Sequence, residues 1–114
     1  MAIIVKPGVV FCKLEKEIYD IFPLLEQVWN QFAHGMEPTI TSANDSKHME
    51  NSLHYRNLAI DLRTKNLPKL VIKDILFALG SNLEPIGYDV LLEGLDTDKE
   101  HFHIEYDRRK DIIL

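Results

Sequence analysis

Two short segments of this sequence carry the residue types that bind metal ions and transfer protons. The first contains His54 and Asp61, and the second contains Glu100, His101 and His103. Two imidazoles and one carboxylate supply three ligands to a zinc ion and leave the fourth tetrahedral position for water, as in catalytic sites. Such a set leaves a charge of about +1 on the site, which polarises a carbonyl oxygen and acidifies a bound water. The residue types therefore predict a metal-dependent hydrolytic centre.

The second segment offers two candidates for the general base. On a β-strand, His101 and His103 share one face because they are two residues apart, whereas Glu100 faces the other side. Glu100 can reach a site beside His103 only if it lies in the turn before the strand begins. Either group can accept a proton from water, so the sequence leaves both Glu100 and His101 open as the base.

The elements that must position these residues follow from the hydrophobic pattern. Apolar residues recur at spacings of three and four in residues 13–33 and 67–79, which predicts helices, the second ending at Gly80. Pro23 lies inside the first pattern, so either one helix is kinked there or two helices meet. Alternating and apolar runs predict strands at residues 38–42, 58–62, 88–92 and 102–106, the last two forming a hairpin. The result is one α+β domain over residues 1–114, with two or three helices on a small, largely antiparallel sheet.

Composition excludes several classes of function. The chain has 13 Lys and Arg against 18 Asp and Glu, a net charge of −5, which argues against unaided binding to nucleic acid. No run approaches the roughly 18 apolar residues of a membrane span, and we expect no membrane insertion. The N-terminal residues do not resemble a signal peptide, so a cytoplasmic protein is expected. Cys12 is the single cysteine, so no intramolecular disulfide forms.

The two segments resemble the motifs of a known family. Ser52, His54, Ala59 and Asp61 fit Ser-x-His-x-x-Gly-x-Ala-x-Asp, and residues 100–103 fit Glu-x-x-His. These motifs are typical of the zinc D-alanyl-D-alanine metallopeptidases, which include D,D-dipeptidases, D,D-carboxypeptidases and phage endolysins that cut L-alanoyl-D-glutamate bonds. The first segment also resembles the hedgehog signalling domain, which shares the zinc fold. The resemblance spans roughly residues 39–107.

The resemblance implies a site and an activity. His54, Asp61 and His103 would bind one zinc ion, and Glu100 would be the catalytic base. The substrates would be bacterial cell-wall (peptidoglycan) peptides, cut by attack of metal-bound water on the amide carbonyl. Ser52 would steady the ligand loop by hydrogen bonding. The compact chain resembles bacteriophage or prophage members, which reach the wall by lysis or delivery.

Two departures from the family pattern leave a second interpretation open. Asn57 occupies the position of the motif glycine, and the Arg that many members carry before the motif is absent. Lys47 or Arg56 would take over its contact with substrate, and Tyr55 would line the cleft. The alternative is a non-catalytic zinc-binding recognition module, or a phage structural module with a degenerate active site.

Overall fold

The computed structural model describes residues 3–9, 14–43 and 58–106 of the chain. Five strands form one sheet in the order β1-β2-β3-β5-β4. The first pairing, β1 with β2, is parallel, and the other three pairings are antiparallel. The strands are β1 (Ile4–Val5), β2 (Thr39–Ser42), β3 (Ala59–Arg63), β4 (Tyr88–Glu93) and β5 (His101–Tyr106). The prediction of an α+β domain with a largely antiparallel sheet is confirmed.

Two longer helices and two short ones accompany the sheet. They are α1 (Lys16–Tyr19), α2 (Phe22–Phe32), α3 (Lys69–Leu83) and a 3-10 turn (Glu84–Ile86). Pro23 lies in the first turn of α2, where its missing N–H is not needed, so two helices meet there rather than one bending. Among the described residues, none of the helices has the length and apolar character that crossing a bilayer requires.

The helices cover one face of the sheet. Even-numbered side chains of the central strands form this core, including Ile60, Leu62 and Phe102, all fully buried. Trp29 of α2 packs edge-on against Phe102, with ring centroids 5.7 Å apart. Because side chains alternate along a strand, the odd-numbered residues of the same strands lie on the opposite face. The core therefore leaves that second face for polar side chains.

The predicted end of the second long helix, at Gly80, is wrong. Helix α3 continues to Leu83 because Leu79 and Leu83, one turn apart, are both buried in the core. The chain reverses only after the 3-10 turn, at Gly87, whose φ of 102° is left-handed. Strand β1, which was not predicted, is a two-residue edge strand too short to show an alternating pattern.

Candidate metal centre

Five polar side chains gather on the face of the sheet opposite the helices. In the ladder between β3 and β5, Asp61 is the direct partner of His103. In the ladder between β4 and β5, Glu93 is the direct partner of His101. Glu105 is two residues beyond His103 on the same strand. Because directly opposed residues and residues two apart share a face, the sheet alone brings all five together.

Asp61, His103 and Glu105 form a continuous hydrogen-bonded row. The Nδ1 atom of His103 lies 2.7 Å from Oδ1 of Asp61, and Nε2 lies 2.6 Å from Oε1 of Glu105. His103 and Asp61 are only 8% and 9% exposed. Burial lowers the pKa of His103, but the hydrogen bonds and charges of Asp61 and Glu105 more than offset this and raise it to about 9. Without a metal ion, His103 is therefore an imidazolium that donates to a carboxylate on each side.

His101 and Glu93 form a second pair beside this row. The Nδ1 atom of His101 lies 2.7 Å from the carbonyl oxygen of Lys99, which can only accept, so Nδ1 carries a proton. Nε2 of His101 lies 3.0 Å from Oε1 of Glu93 and 3.7 Å from Oδ2 of Asp61. A carboxylate cannot donate, so a hydrogen bond between His101 and Glu93 requires one shared proton. This pair therefore lies beside the row with one proton between its two side chains.

A tight turn allows Glu93 and His101 to face each other. Gly94 follows Glu93 directly and has a φ of 66°. A Cβ atom at this position would lie 2.8 Å from the carbonyl oxygen of Lys99, which is closer than any side chain tolerates. The loop between β4 and β5 therefore requires glycine at position 94 if Glu93 is to pair with His101.

The donor atoms in this cluster fit a divalent metal ion. Asp61, Glu93 and His103 each offer one ligand atom, and these atoms lie within 4.8 Å of one another. Zinc ligands at about 2.1 Å in a tetrahedron are about 3.4 Å apart. The Nδ1 atom of His103 lies 2.7 Å from Asp61 Oδ1 and 3.9 Å from Glu93 Oε1, values on either side of that separation. The nitrogen and carboxylate donors suit zinc, and Glu105 already holds the remote ring nitrogen of His103.

Glu100 is held on the other side of the sheet. One oxygen of its carboxylate lies 2.8 Å from the hydroxyl of Thr64, and the other accepts a 3.0 Å hydrogen bond from the backbone N–H of Asp96. Glu100 lies in the turn before β5, where strand alternation does not fix its direction, but it lines a pocket with Ile72 of α3 and Leu92 on the helix-covered side. The structure thus brings Asp61, His101 and His103 together, but not Glu100.

The remaining predicted site residues lie outside the described ranges. This group contains the third predicted ligand, His54, and the predicted loop and substrate contacts Lys47, Ser52, Tyr55 and Arg56. Their assignments stay predictions.

Sequence reasoning missed Glu93 and the role of Glu105. The predicted strand at residues 88–92 ends one residue before Glu93, which places Glu93 in the turn. Extending both predicted strands of the hairpin by one residue towards the turn pairs Glu93 with His101. Glu105 lies within the predicted strand at residues 102–106, and its spacing of two from His103 places both side chains on one face.

Comparison with known proteins gives no match to a family model, to a curated protein or to a solved structure.

Proposed function

We propose that this protein is a zinc-dependent peptidase that hydrolyses amide bonds of peptidoglycan peptides. One observation carries the proposal: Asp61 and His103, 42 residues apart in the chain, meet at 2.7 Å with Glu93 beside them on one sheet face. The resemblance of the two sequence segments supplies the substrate class, a fold of the hedgehog and D-alanyl-D-alanine peptidase type, and His54 as the third ligand.

Each residue of the cluster has a role in this proposal. A zinc ion bound there would supply a Lewis acid for the amide carbonyl and for the attacking water. Asp61 and Nδ1 of His103 hold the ion, and Glu105 keeps the His103 ring in the required orientation. Glu93, whose side chain is half exposed, accepts a proton from the attacking water. The water oxygen forms a bond to the carbonyl carbon, the C–N bond breaks, and the proton passes from Glu93 to the leaving amine. His101 stays hydrogen-bonded to Glu93 throughout.

The activity is tested on purified protein loaded with one equivalent of zinc. Peptidoglycan stem peptides and cross-linked dimers are incubated with it, and the products are separated and weighed by mass spectrometry. We expect cleavage of one amide bond type, and loss of cleavage when the metal is chelated. Protein that holds stoichiometric zinc but leaves every stem and cross-bridge peptide intact, while a control endolysin digests them, would overturn the proposal.

Two carboxylate variants then identify the base. Glu93→Gln keeps the size of the side chain and removes its ability to accept a proton. We expect it to retain zinc and to lose activity by about a hundredfold or more. Glu100→Gln is the matched control, because its carboxylate is bound to Thr64 and to the Asp96 N–H on the opposite face. Full loss of activity in Glu100→Gln, with an active Glu93→Gln, would return the catalytic role to Glu100.

A second candidate is a protein in which this cluster is a degenerate site. One observation favours it: His103 already donates to Asp61 and Glu105, and no buried side-chain N or O atom among the described residues lacks a partner. The hydrogen-bonding groups of Asp61, His103 and Glu105 therefore have partners without a metal ion. Under this alternative, equilibrium dialysis would find no zinc bound at neutral pH, and Glu93→Gln would leave every function of the protein unchanged.

A further inference from the structure

The Asp61 carboxylate faces two different histidines through its two oxygens. Oδ1 lies 2.7 Å from Nδ1 of His103, where the proposed function places the catalytic ion, and Oδ2 lies 3.7 Å from Nε2 of His101. A carboxylate between two imidazoles can bridge two metal ions, one on each oxygen, and the ions of two-metal sites are about 3.5–4 Å apart. The geometry therefore offers a second set of donor atoms beside the first ion.

His101 is already oriented as a metal ligand. Its Nδ1–H donates to the carbonyl oxygen of Lys99 at 2.7 Å, so Nε2 is the nitrogen directed at Glu93 and Asp61. Histidines that bind metal ions commonly donate the other ring N–H to a backbone carbonyl, which fixes both the tautomer and the ring. The Lys99 carbonyl thus holds the His101 ring in the orientation in which Nε2 can bind an ion.

The donor atoms of this second set have the spacing that one ion requires. Nε2 of His101 lies 3.0 Å from Oε1 of Glu93 and 3.7 Å from Oδ2 of Asp61, on either side of the separation of about 3.4 Å between zinc ligands. Carboxylate oxygens of Asp61 and Glu93 lie within 4.8 Å of each other. The side chains of His101 and Glu93 are 25% and 47% exposed, so water can complete the coordination.

Negative charge remains in the cluster after one ion has bound. Three carboxylates, those of Asp61, Glu93 and Glu105, surround the two imidazoles. One zinc ion beside neutral imidazoles neutralises two of these three charges, so the third still favours a cation. Arg63, the ladder partner of His101, adds positive charge nearby. We therefore expect a second ion to bind, but more weakly than the first.

We propose that Nε2 of His101, Oε1 of Glu93 and Oδ2 of Asp61 form a second divalent-cation site, and that a zinc ion bound there inhibits the peptidase. This inference rests on the proposed function, in which Glu93 accepts a proton from the attacking water. The second ion takes the place of the proton that His101 and Glu93 share, which is released to solvent. It also occupies the carboxylate oxygen that must accept the proton of the water. Zinc therefore activates at one equivalent and inhibits in excess.

Zinc binding measured without substrate tests the site itself. Zinc is titrated into metal-free protein in competition with a chromophoric chelator. We expect two equivalents per wild-type chain, and an affinity for the second ion that falls at least about tenfold in His101→Gln and in Glu93→Gln while the first changes far less. Binding of the first ion also reports that each variant is folded.

His34→Gln is the matched control for this titration, because it removes an exposed imidazole outside the cluster. It should bind both ions as the wild type does. Saturation of the wild type at one equivalent, or a second ion that His101→Gln and Glu93→Gln bind as tightly as the wild type, would overturn the second site.

Activity at increasing zinc concentration tests the inhibitory role. Wild-type protein with one equivalent of zinc is assayed on stem peptides while further zinc is added. We expect the rate to fall about tenfold at ten times the Kd of the second ion, and to recover when a chelator removes that ion. The residual rate of His101→Gln should not fall over the same range. A wild-type rate that stays constant or rises as the second site fills would overturn the inhibition. No cleavage at any zinc concentration would overturn the proposed function and the inhibition together, and the titration without substrate alone would then decide the second site.

Discussion

Asp61 and His103 are direct partners across the β3–β5 ladder, and the Asp61 carboxylate lies 2.7 Å from Nδ1 of His103. Neither position is set by a loop, because both residues lie inside strands whose alternate side chains form the core. Ile60 and Phe102, their sequence neighbours, are fully buried on the opposite face. The packing that stabilises the sheet therefore also orients the two groups, before any ligand binds.

Replacing Asp61 by Asn should abolish metal binding with little change of shape. The amide removes the negative charge and one donor oxygen that Asp61 would give to the ion beside Nδ1 of His103. Metal content measured by atomic emission should fall from about one equivalent to near zero. Asp74→Asn on the exposed surface of α3 is the control and should keep its metal. A full equivalent of zinc in Asp61→Asn would mean that the metal binds elsewhere.

The stability of the metal-free protein should fall as the pH rises through the alkaline range. The pKa of His103 is about 9 in the folded chain and 6.5 as the ordinary value. The folded state therefore binds this proton more tightly than the unfolded state. The resulting stabilisation is fully present below about pH 6.5 and is lost as the pH rises towards 9. Its size is on the order of 3 kcal/mol.

Urea unfolding in the presence of a chelator measures this loss. The free energy of unfolding of the wild type should decrease more between pH 6 and pH 9.5 than that of His103→Gln, which has no imidazole to titrate. Parallel curves for the two proteins would show that Asp61 and Glu105 do not hold a proton on His103. Zinc affinity should change in the opposite direction, since the metal ion must displace the Nδ1 proton.

Thr64→Val should destabilise the fold without affecting the metal. The Thr64 hydroxyl lies 2.8 Å from the carboxylate of Glu100 and 3.1 Å from its backbone oxygen, and Thr64 itself is only 3% exposed. Valine has the same shape but leaves Glu100 without this donor, at a cost of about 1–3 kcal/mol in the free energy of unfolding. Thr39→Val is the matched control, because the Thr39 hydroxyl has only a 3.4 Å contact to Glu37. Equal stabilities of the two variants would contradict the assigned role of Glu100.

The elements of the fold were largely predictable because their patterns are local. The spacing of Val71, Ile75 and Leu79 indicates a helix, and the apolar run before Asp61 indicates a buried strand. The predicted helix end is wrong because α3 continues through Gly80, which allows Leu83 to be buried in the core. Burial in the tertiary structure outweighed the local signal of glycine.

The site was predictable only where a motif covered it. Asp61 and His103 were selected from residue type and spacing, and the sheet brings them together. Glu93 lies outside both sequence segments, and its place in the cluster depends on how the turn at Gly94 sets the β4–β5 register. Glu100 has the expected spacing from His103 and lies in the turn before β5, but Thr64 and the Asp96 N–H hold its carboxylate away from the cluster. Both outcomes depend on how the loop between β4 and β5 folds, which sequence spacing does not specify.

Glu105 should control metal affinity although it is not a predicted ligand. Its carboxylate lies 2.6 Å from Nε2 of His103, so Nδ1, the atom facing Asp61 and Glu93, is the nitrogen that would bind a metal ion once its proton is displaced. Glu105→Ala should weaken zinc binding by about 10- to 100-fold in competition with a chromophoric chelator, and Glu105→Gln, which still accepts a hydrogen bond, should weaken it less. Nitrogen NMR of the metal-loaded protein should show the Nε2–H tautomer of His103 in the wild type and a mixture in the Ala variant. If Glu105→Ala binds zinc as tightly as the wild type with the same tautomer, Glu105 does not position the His103 ring.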